Sequence, residues 1–105
     1  MRDDIVFQGQ FIWSRRKEKL NIKKHKVSFE TACRIFNDLG LYEIYDEANS
    51  VNEDRYNIIG NVDGCLLLFV TITDRDGLIR IISARKTDTS EWSEYYENIK
   101  KLQGN

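Results

Sequence analysis

The sequence of 105 residues predicts an α+β fold: a short N-terminal strand, two helices, an antiparallel meander and a C-terminal helix. Apolar side chains recur at helical spacing across residues 29–36. Two Asp-Gly pairs, at 63–64 and 76–77, separate three apolar runs, a pattern typical of antiparallel hairpins. A chain of this length is expected to form a single domain over residues 1–105.

The N-terminal third is predicted to contain an extended segment and a basic helix. Apolar residues 5–7 and 11–13 flank a glycine-containing tripeptide, which indicates a short leading strand or an extended entry segment. Ser14 is suited to N-cap a basic helix that runs to about Lys24, with Trp13 packing at its entry. A short break is expected at 25–26.

A second helix is predicted after Ser28, which is its expected N-cap, and Gly40 is suited to the left-handed position after its end. Its apolar face comprises Phe29, Ala32, Cys33 and Phe36. We interpret Cys33 and Cys65 as small core residues because both sit in apolar runs, and a cytosolic chain usually keeps its thiols reduced. A disulfide or a reactive thiol is the lesser alternative.

The second half is predicted to be mostly β. Strands are expected at 41–45, 55–60, 66–73 and 78–85, with a polar loop at 47–54. Asp88 and Glu91 have capping-box spacing at the start of the last helix. The apolar stripe of this helix comprises Trp92, Tyr95, Tyr96 and Ile99, which favours packing over a chemical role for Tyr95.

Composition excludes several classes of protein. Apolar residues make up 41% of the chain and aromatic residues 11%, which is globular rather than disordered. The sequence holds no apolar run long enough to span a membrane. Two acids directly follow the first two residues, where a secretory leader would be basic and then apolar, so a cytoplasmic location is expected.

Charge is distributed in two opposed blocks, although the net charge is only −1. Residues 15–26 carry seven lysines and arginines against one acid, whereas residues 38–54 carry six acids and no base. Such a dipolar chain can attract a polyanion at one end while staying nearly neutral. The alternative is a lysine-rich helix face that is simply solvated.

The sequence favours cationic chemistry over metal chemistry. With one histidine and two distant cysteines, it holds no cluster with metal-ligand spacing, and no cofactor is expected. The strand positions of Arg55 and Arg80 are unusual, because a guanidinium group among apolar neighbours requires an acid, a ligand or solvent. If Arg80 does not bind a ligand, it is expected either to pair with an acid or to lie on an edge strand and point into solvent.

Two blocks of sequence resemble the BrnT family of bacterial toxins. The first comprises Trp13-Ser14, Asn21, Lys24-His25 and Val27-Ser28-Phe29-Glu30, followed by Ala32, Phe36 and Asp38. The second comprises Arg80-Ile81-Ile82-Ser83-Ala84-Arg85-Lys86, followed by Glu91 and Tyr95. Asp46, Arg55 and Gly60 also match. The resemblance covers residues 11–96, and the two blocks together are specific.

This resemblance implies a toxin of a type II toxin–antitoxin pair with a RelE-like ribonuclease fold. Family members are held to cleave RNA and thereby block translation. The implied partner is a BrnA-like antitoxin with a ribbon-helix-helix region, so DNA would be bound only through the complex. The implied active surface comprises Lys24, His25, Arg55, Arg80 and Arg85.

The chemistry of metal-independent RNA cleavage suggests roles for these residues. A histidine titrates near neutral pH, so His25 is the expected acid or base. Arg80 and Arg55 are expected to bind the scissile phosphate, because guanidinium groups stabilise developing negative charge. Lys24 and Arg85 are expected to hold RNA, and the further predicted RNA contacts are Lys17, Lys23 and Lys86.

The spacing of Arg80 and Arg85 presents a geometric problem. They are five positions apart, an odd number, so in a regular strand their side chains point to opposite faces. They can share a site only if a bulge intervenes or if Arg85 lies beyond the strand. We therefore rank Arg80 above Arg85 as a catalytic residue.

The sequence departs from the family pattern at two places. Ser14 stands where the family often has aspartate, and residues 88–93 lack several basic residues common there. A weakened toxin is one consequence. Three hypotheses therefore stay open: a ribonuclease toxin, a non-catalytic nucleic-acid-binding module, and a protein whose main role is to hold an antitoxin.

Overall fold

The computed structural model describes residues 4–104, which form one six-stranded sheet and three α-helices. In chain order the elements are β1 (Ile5–Gln8), β2 (Phe11–Ser14), α1 (Arg15–His25), α2 (Phe29–Cys33), β3 (Tyr42–Tyr45), β4 (Arg55–Val62), β5 (Leu66–Arg75), β6 (Leu78–Lys86) and α3 (Thr89–Gln103). Short 3-10 turns cover Arg34–Asn37 and Glu47–Asn49. No helix in this part of the chain has the length and apolar character needed to cross a membrane.

The sheet confirms the α+β class and adds one strand that the sequence did not resolve. Its order is β1-β2-β6-β5-β4-β3, antiparallel except between β2 and β6. The expected single leading strand is instead a hairpin that extends the sheet, with Gly9 at a φ of 60° in its turn. Both residues of each Asp-Gly pair also have positive φ, as tight hairpin turns require.

One face of the sheet, here called the first face, carries the main core. It is covered by α2 and the turn at Arg34–Asn37, whereas α1 contacts β6 and β2 and buries only Asn21. A Cβ on Gly60 would lie 2.6 Å from the Cβ of Ile35, so the glycine permits this turn to approach β4. The core residues include Trp13, Phe29, Ile35, Ile58, Leu68, Val70 and Ile81.

The opposite side, here called the second face, is partly covered by α3, which contacts β4. The Tyr95 hydroxyl of α3 donates to Asp38 Oδ2 at 2.6 Å, which ties the helix to the segment before β3. Burial and then this hydrogen bond raise the pKa of Tyr95. Tyr95 is therefore a packing residue, as its spacing predicted.

The predicted N-caps are confirmed. Ser14 and Ser28 accept hydrogen bonds from the backbone N–H groups of Lys17 and Thr31, and Asp88 with Glu91 forms a complete capping box. The first helix ends one residue later than expected, at His25. The second helix is shorter than expected, because it tightens into a 3-10 turn after Cys33.

Three predictions about packing are wrong. Gly40 does not have positive φ, and it lies close against the end of the Ile99 side chain of α3. Cys65 is exposed beside the turn between β4 and β5, whereas Cys33 is buried. Burial is the largest cause that raises the pKa of Cys33, to about 12, and both thiols are free. Trp92 is 52% exposed rather than part of a buried stripe.

A buried asparagine joins α1 to the edge of β6. The Asn21 amide donates to the carbonyl oxygens of Val27 and Ala84 at 2.9 and 2.8 Å, and its Oδ1 accepts from the Ala84 N–H at 3.1 Å. The amide thus takes the place of a neighbouring strand for Ala84, because β2 pairs with β6 only around Ile79 and Arg80. Asn21 is only 7% exposed, so water cannot easily replace these bonds.

We predict that Asn21→Ala lowers the free energy of unfolding by about 2–5 kcal/mol, because both backbone groups of Ala84 lose their partner while buried. Urea denaturation monitored by circular dichroism would measure this loss. Asn52→Ala is the matched control, because Asn52 is exposed and substitutions at exposed positions change the free energy of unfolding by about 0.5 kcal/mol or less. Equal stabilities of the two variants would contradict the bridging role of Asn21.

Candidate functional site

Two of the predicted arginines lie in one row across the second face. Arg55 of β4 pairs with Thr73 of β5, and Thr73 pairs with Arg80 of β6. Cross-strand partners project from the same face, so the two arginines flank Thr73 on neighbouring strands. We call Arg55, Thr73 and Arg80 the arginine row. Strand spacing places the backbones of its outer members about 10 Å apart.

The two arginines differ in their partners. Arg55 Nη2 lies 3.4 Å from Glu53 Oε2, while its buried Nε has no hydrogen-bond partner in the described chain. Arg80 is half-buried and forms no hydrogen bond or ion pair within residues 4–104. An acid partner for Arg80, the structural alternative in the sequence, is therefore absent from this part of the chain. Arg80 is available to an anionic ligand.

A bulge in β6 brings Arg85 to the same face as Arg80. The register between β5 and β6 shifts by one residue after Ser83, so that Ile82 is the extra residue of β6. Arg80 pairs with Thr73 and Arg85 with Phe69, four residues apart on β5. Side chains four apart on a strand share a face. The bulge thus removes the geometric objection to a shared surface.

The guanidinium group of Arg85 is nevertheless occupied. It forms two hydrogen bonds to the carboxylate of Glu91, at 2.8 and 2.7 Å, and lies 4.2 Å from the ring centroid of Phe69. The hydrogen bond to Glu91 is the main cause that raises the pKa of Arg85. Glu91 also belongs to the capping box of α3, so Arg85 joins β6 to the start of that helix.

Part of the basic helix forms a second cationic group. Lys17, Lys24 and His25 line an open cleft of about 250 Å³. Lys17, Asn21, Lys24 and His25 lie on one face of α1, because residues three and four apart share a helix face. The remaining lining residues are Leu20, Ile82 and Ser83, so the lining contains no acid. We call this site the basic cleft.

The basic cleft and the arginine row border the same stretch of β6. Ser83 lines the cleft and pairs with Thr71 on the second face, three residues after Arg80. The structure does not place the other predicted RNA contacts at either group. Lys23 is exposed on α1 outside the cleft lining, and Lys86 lies at the end of β6 in a separate depression with Trp92 and Tyr96.

A row of small polar residues was missed by the sequence analysis. Asn57, Thr71 and Ser83 are cross-strand neighbours on the second face, adjacent to the arginine row. The Thr71 hydroxyl donates to Asn57 Oδ1 at 2.7 Å. The signal in the sequence is a polar residue within each apolar strand, but only the register shows that the three meet.

The described residues contain no group of three or more histidine, cysteine or acidic side chains placed to hold a metal ion. What the two cationic groups offer is positive charge, hydrogen-bond donors and one imidazole. Guanidinium groups bind phosphate with oriented donors, and imidazole transfers protons near neutral pH. The chemistry of this surface is that of a protein suited to bind phosphodiester polyanions.

Comparison with known families makes the assignment specific. Residues 13–91 match the family described as "Ribonuclease toxin, BrnT, of type II toxin-antitoxin system". This match covers most of the sequence, and the chain belongs to the BrnT toxin family. Membership implies an antitoxin partner and an RNA target.

A solved structure supports the fold. The chain is similar to the crystal structure, at 1.1 Å resolution, of the ribonuclease toxin BrnT of Brucella abortus, with a TM-score of 0.58 and 21% sequence identity. The alignment covers 73% of this chain and 94% of the Brucella protein. No curated protein sequence matches the chain significantly.

We predict a coupling energy of about 1–3 kcal/mol between Arg85 and Glu91, because their bond is bidentate and charge-assisted. A double-mutant cycle of Arg85→Ala and Glu91→Ala, measured by urea denaturation, isolates this coupling from the loss of the capping box. The exposed pair of Glu97 and Lys100 gives the control cycle, with an expected coupling of about 0.5 kcal/mol or less. Additive effects in the first cycle would exclude a stabilising pair.

Proposed function

We propose that this protein is a metal-independent endoribonuclease, the toxin of a type II toxin–antitoxin pair that blocks translation by cleaving RNA. The observation that carries the proposal is the position of Arg80. It has no protein partner within residues 4–104, lies in register with Arg55, and is three residues from Ser83 at the basic cleft. A cation left without an acid on a half-buried surface is suited to an anionic ligand.

In the proposed reaction, a ribose 2′-hydroxyl loses its proton to a base and attacks the adjacent phosphorus. The bond from phosphorus to the 5′-oxygen breaks, and that oxygen takes a proton. The products are a 2′,3′-cyclic phosphate and a 5′-hydroxyl, so no water, metal or oxidant is consumed. His25, with its ring in the basic cleft, is the proposed proton-transfer group.

Arginines supply the electrostatic part of the mechanism. Negative charge builds on the phosphorane oxygens as the 2′-oxygen attacks, and fixed cations stabilise it. Arg80 is the proposed primary contact, because its guanidinium group is unpaired in the described chain. Arg55 contributes a second positive charge on the neighbouring strand of the arginine row, although its Nη2 also lies 3.4 Å from Glu53 Oε2.

Other basic residues are proposed to hold the RNA strand. Lys17 and Lys24 line the basic cleft and provide phosphate contacts beside His25. Lys23 and Lys86 are more distant and would steer RNA rather than contact the scissile phosphate. Arg85 must leave Glu91 before it can bind RNA, so we propose a secondary role for it.

The proposed partner is a BrnA-like antitoxin with a ribbon-helix-helix region, and DNA is bound only through their complex. By the same resemblance, the single domain has a RelE-like fold and acts in the cytoplasm, where translation takes place. These assignments rest on the family, not on any surface described above.

The acidic side chains of α3 favour a second candidate function. Glu94 and Glu97 line a cleft of about 490 Å³ between this helix and Tyr42 on the second face. Carboxylates at this position repel a phosphate backbone, and Glu91 neutralises Arg85. The alternative is therefore a weakened toxin that binds RNA or an antitoxin without cleavage.

We predict that inducible expression arrests bacterial growth and that purified protein cleaves single-stranded RNA. His25→Ala and Arg80→Ala should each reduce cleavage by about 100-fold or more, the scale expected for removing a proton-transfer or charge-stabilising group. Lys19→Ala is the control, because Lys19 is exposed on α1 and lies outside the cleft lining. Normal growth and intact RNA with folded wild-type protein would support the non-catalytic alternative.

We further predict that excess EDTA leaves the rate of RNA cleavage unchanged within about twofold, because the proposed nucleophile and the charge stabilisation need no metal ion. The products should end in a 2′,3′-cyclic phosphate, detectable by mass spectrometry. Cleavage lost in EDTA and restored by Mg²⁺, or a 3′-hydroxyl product, would show a metal-dependent hydrolysis instead.

A further inference from the structure

Phe7 is an exposed aromatic side chain at the outer edge of the sheet. It lies on the outermost strand β1, is 67% exposed, and makes no ring contact within the described residues. Its neighbour Val6 points to the other side and packs against the main core. An isolated exposed apolar residue is ordinary on protein surfaces, so exposure alone indicates nothing.

The strand pairing places Phe7 in line with Arg80 across the sheet. Phe7 pairs with Ile12 of β2, and Ile12 pairs with Arg80 of β6. All three therefore project from the second face in one line, and this line continues directly into the arginine row. Two strand spacings, about 10 Å, separate the backbones of Phe7 and Arg80.

We propose that Phe7 is a base-stacking residue for the single-stranded RNA held at Arg80. This inference rests on the proposed function and assigns a further subsite to it. A phosphate bound by Arg80 brings a neighbouring base towards β1, where the open ring face of Phe7 receives it. Stacking on an aromatic ring accepts any base and combines with cationic phosphate contacts in proteins that bind single strands.

RNA is favoured over a protein as the occupant because of the charge beside Phe7. Phe7 lies two strands from Arg80, an arginine with no acid partner in the described chain, and the same face continues to Arg55. A protein strand added to the edge of β1 would use the backbone of β1 and would not require Arg80 to stay unpaired. The arrangement therefore matches a ligand with alternating phosphates and bases.

The test compares binding of a short single-stranded RNA whose 2′-hydroxyls are methylated, so that it cannot be cleaved. Phe7→Ala should weaken binding by about 5-fold or more, and Phe7→Leu should weaken it similarly, because stacking needs an aromatic ring. Phe7→Trp should bind within about threefold of wild type and show quenched tryptophan fluorescence. Ile5→Ala is the matched control, being exposed on the same strand and face but paired with Ser14.

Salt dependence separates stacking from phosphate contact. Phe7→Ala should leave the slope of log Kd against log salt unchanged, whereas Arg80→Ala should reduce it by about 0.7, the value for one phosphate contact on a single strand. Circular dichroism verifies that each variant is folded. If wild-type protein binds no RNA, the proposed function itself fails.

If wild-type protein binds RNA and Phe7→Ala binds equally well, only the stacking proposal is wrong. If that variant keeps its RNA affinity but the antitoxin gene no longer rescues growth, β1 is a protein-docking edge, which also overturns the proposal. Equal loss of affinity in Ile5→Ala would likewise exclude a specific role for the ring.

Discussion

The contact between α1 and β6 through Asn21 determines the geometry on which the site depends. In a sheet, the edge of a strand must be paired, capped or solvated, because buried backbone groups without partners are costly. Here β2 leaves β6 to become a helix, and one amide satisfies both groups of Ala84. The same helix face carries Lys17, Lys24 and His25. The bond that closes the sheet edge thus also places the basic cleft against β6.

The bulge in β6 is the second constraint, because it decides which face of the sheet Arg85 occupies. By inserting Ile82, it turns Arg85 to the face that already carries Arg80. Bulges re-aim side chains in this way near functional sites. Yet Arg85 bonds to Glu91 and stacks on Phe69, while Arg80 stays unpaired within the described chain. Two arginines that project from the same face of the sheet therefore differ in whether they are free to bind a ligand.

The net charge of −1 conceals an asymmetry in how charges are used. Acids from residues 38–54 are largely engaged within the protein: Asp38 accepts from Tyr95 and from the Asn61 N–H, and Glu53 lies within ion-pair distance of Arg55 and Arg75. In contrast, Lys24 and His25 form no side-chain bond within residues 4–104. Lys17, Lys24 and His25 therefore line a cleft whose lining contains no acid, which is a surface suited to a polyanion despite the near-neutral total charge.

The sequence by itself determined the features that depend on local chemistry. Ser14, Ser28 and the pair of Asp88 and Glu91 mark helix starts because a cap involves only residues three apart, and the Asp-Gly pairs mark hairpins because φ is a property of single residues. The two motif blocks also sufficed to indicate the family. Only the tertiary structure decided which cations meet and which are neutralised. Strand register, the bulge at Ile82 and the partner of Arg85 join residues distant in the chain, and no local pattern encodes those distances.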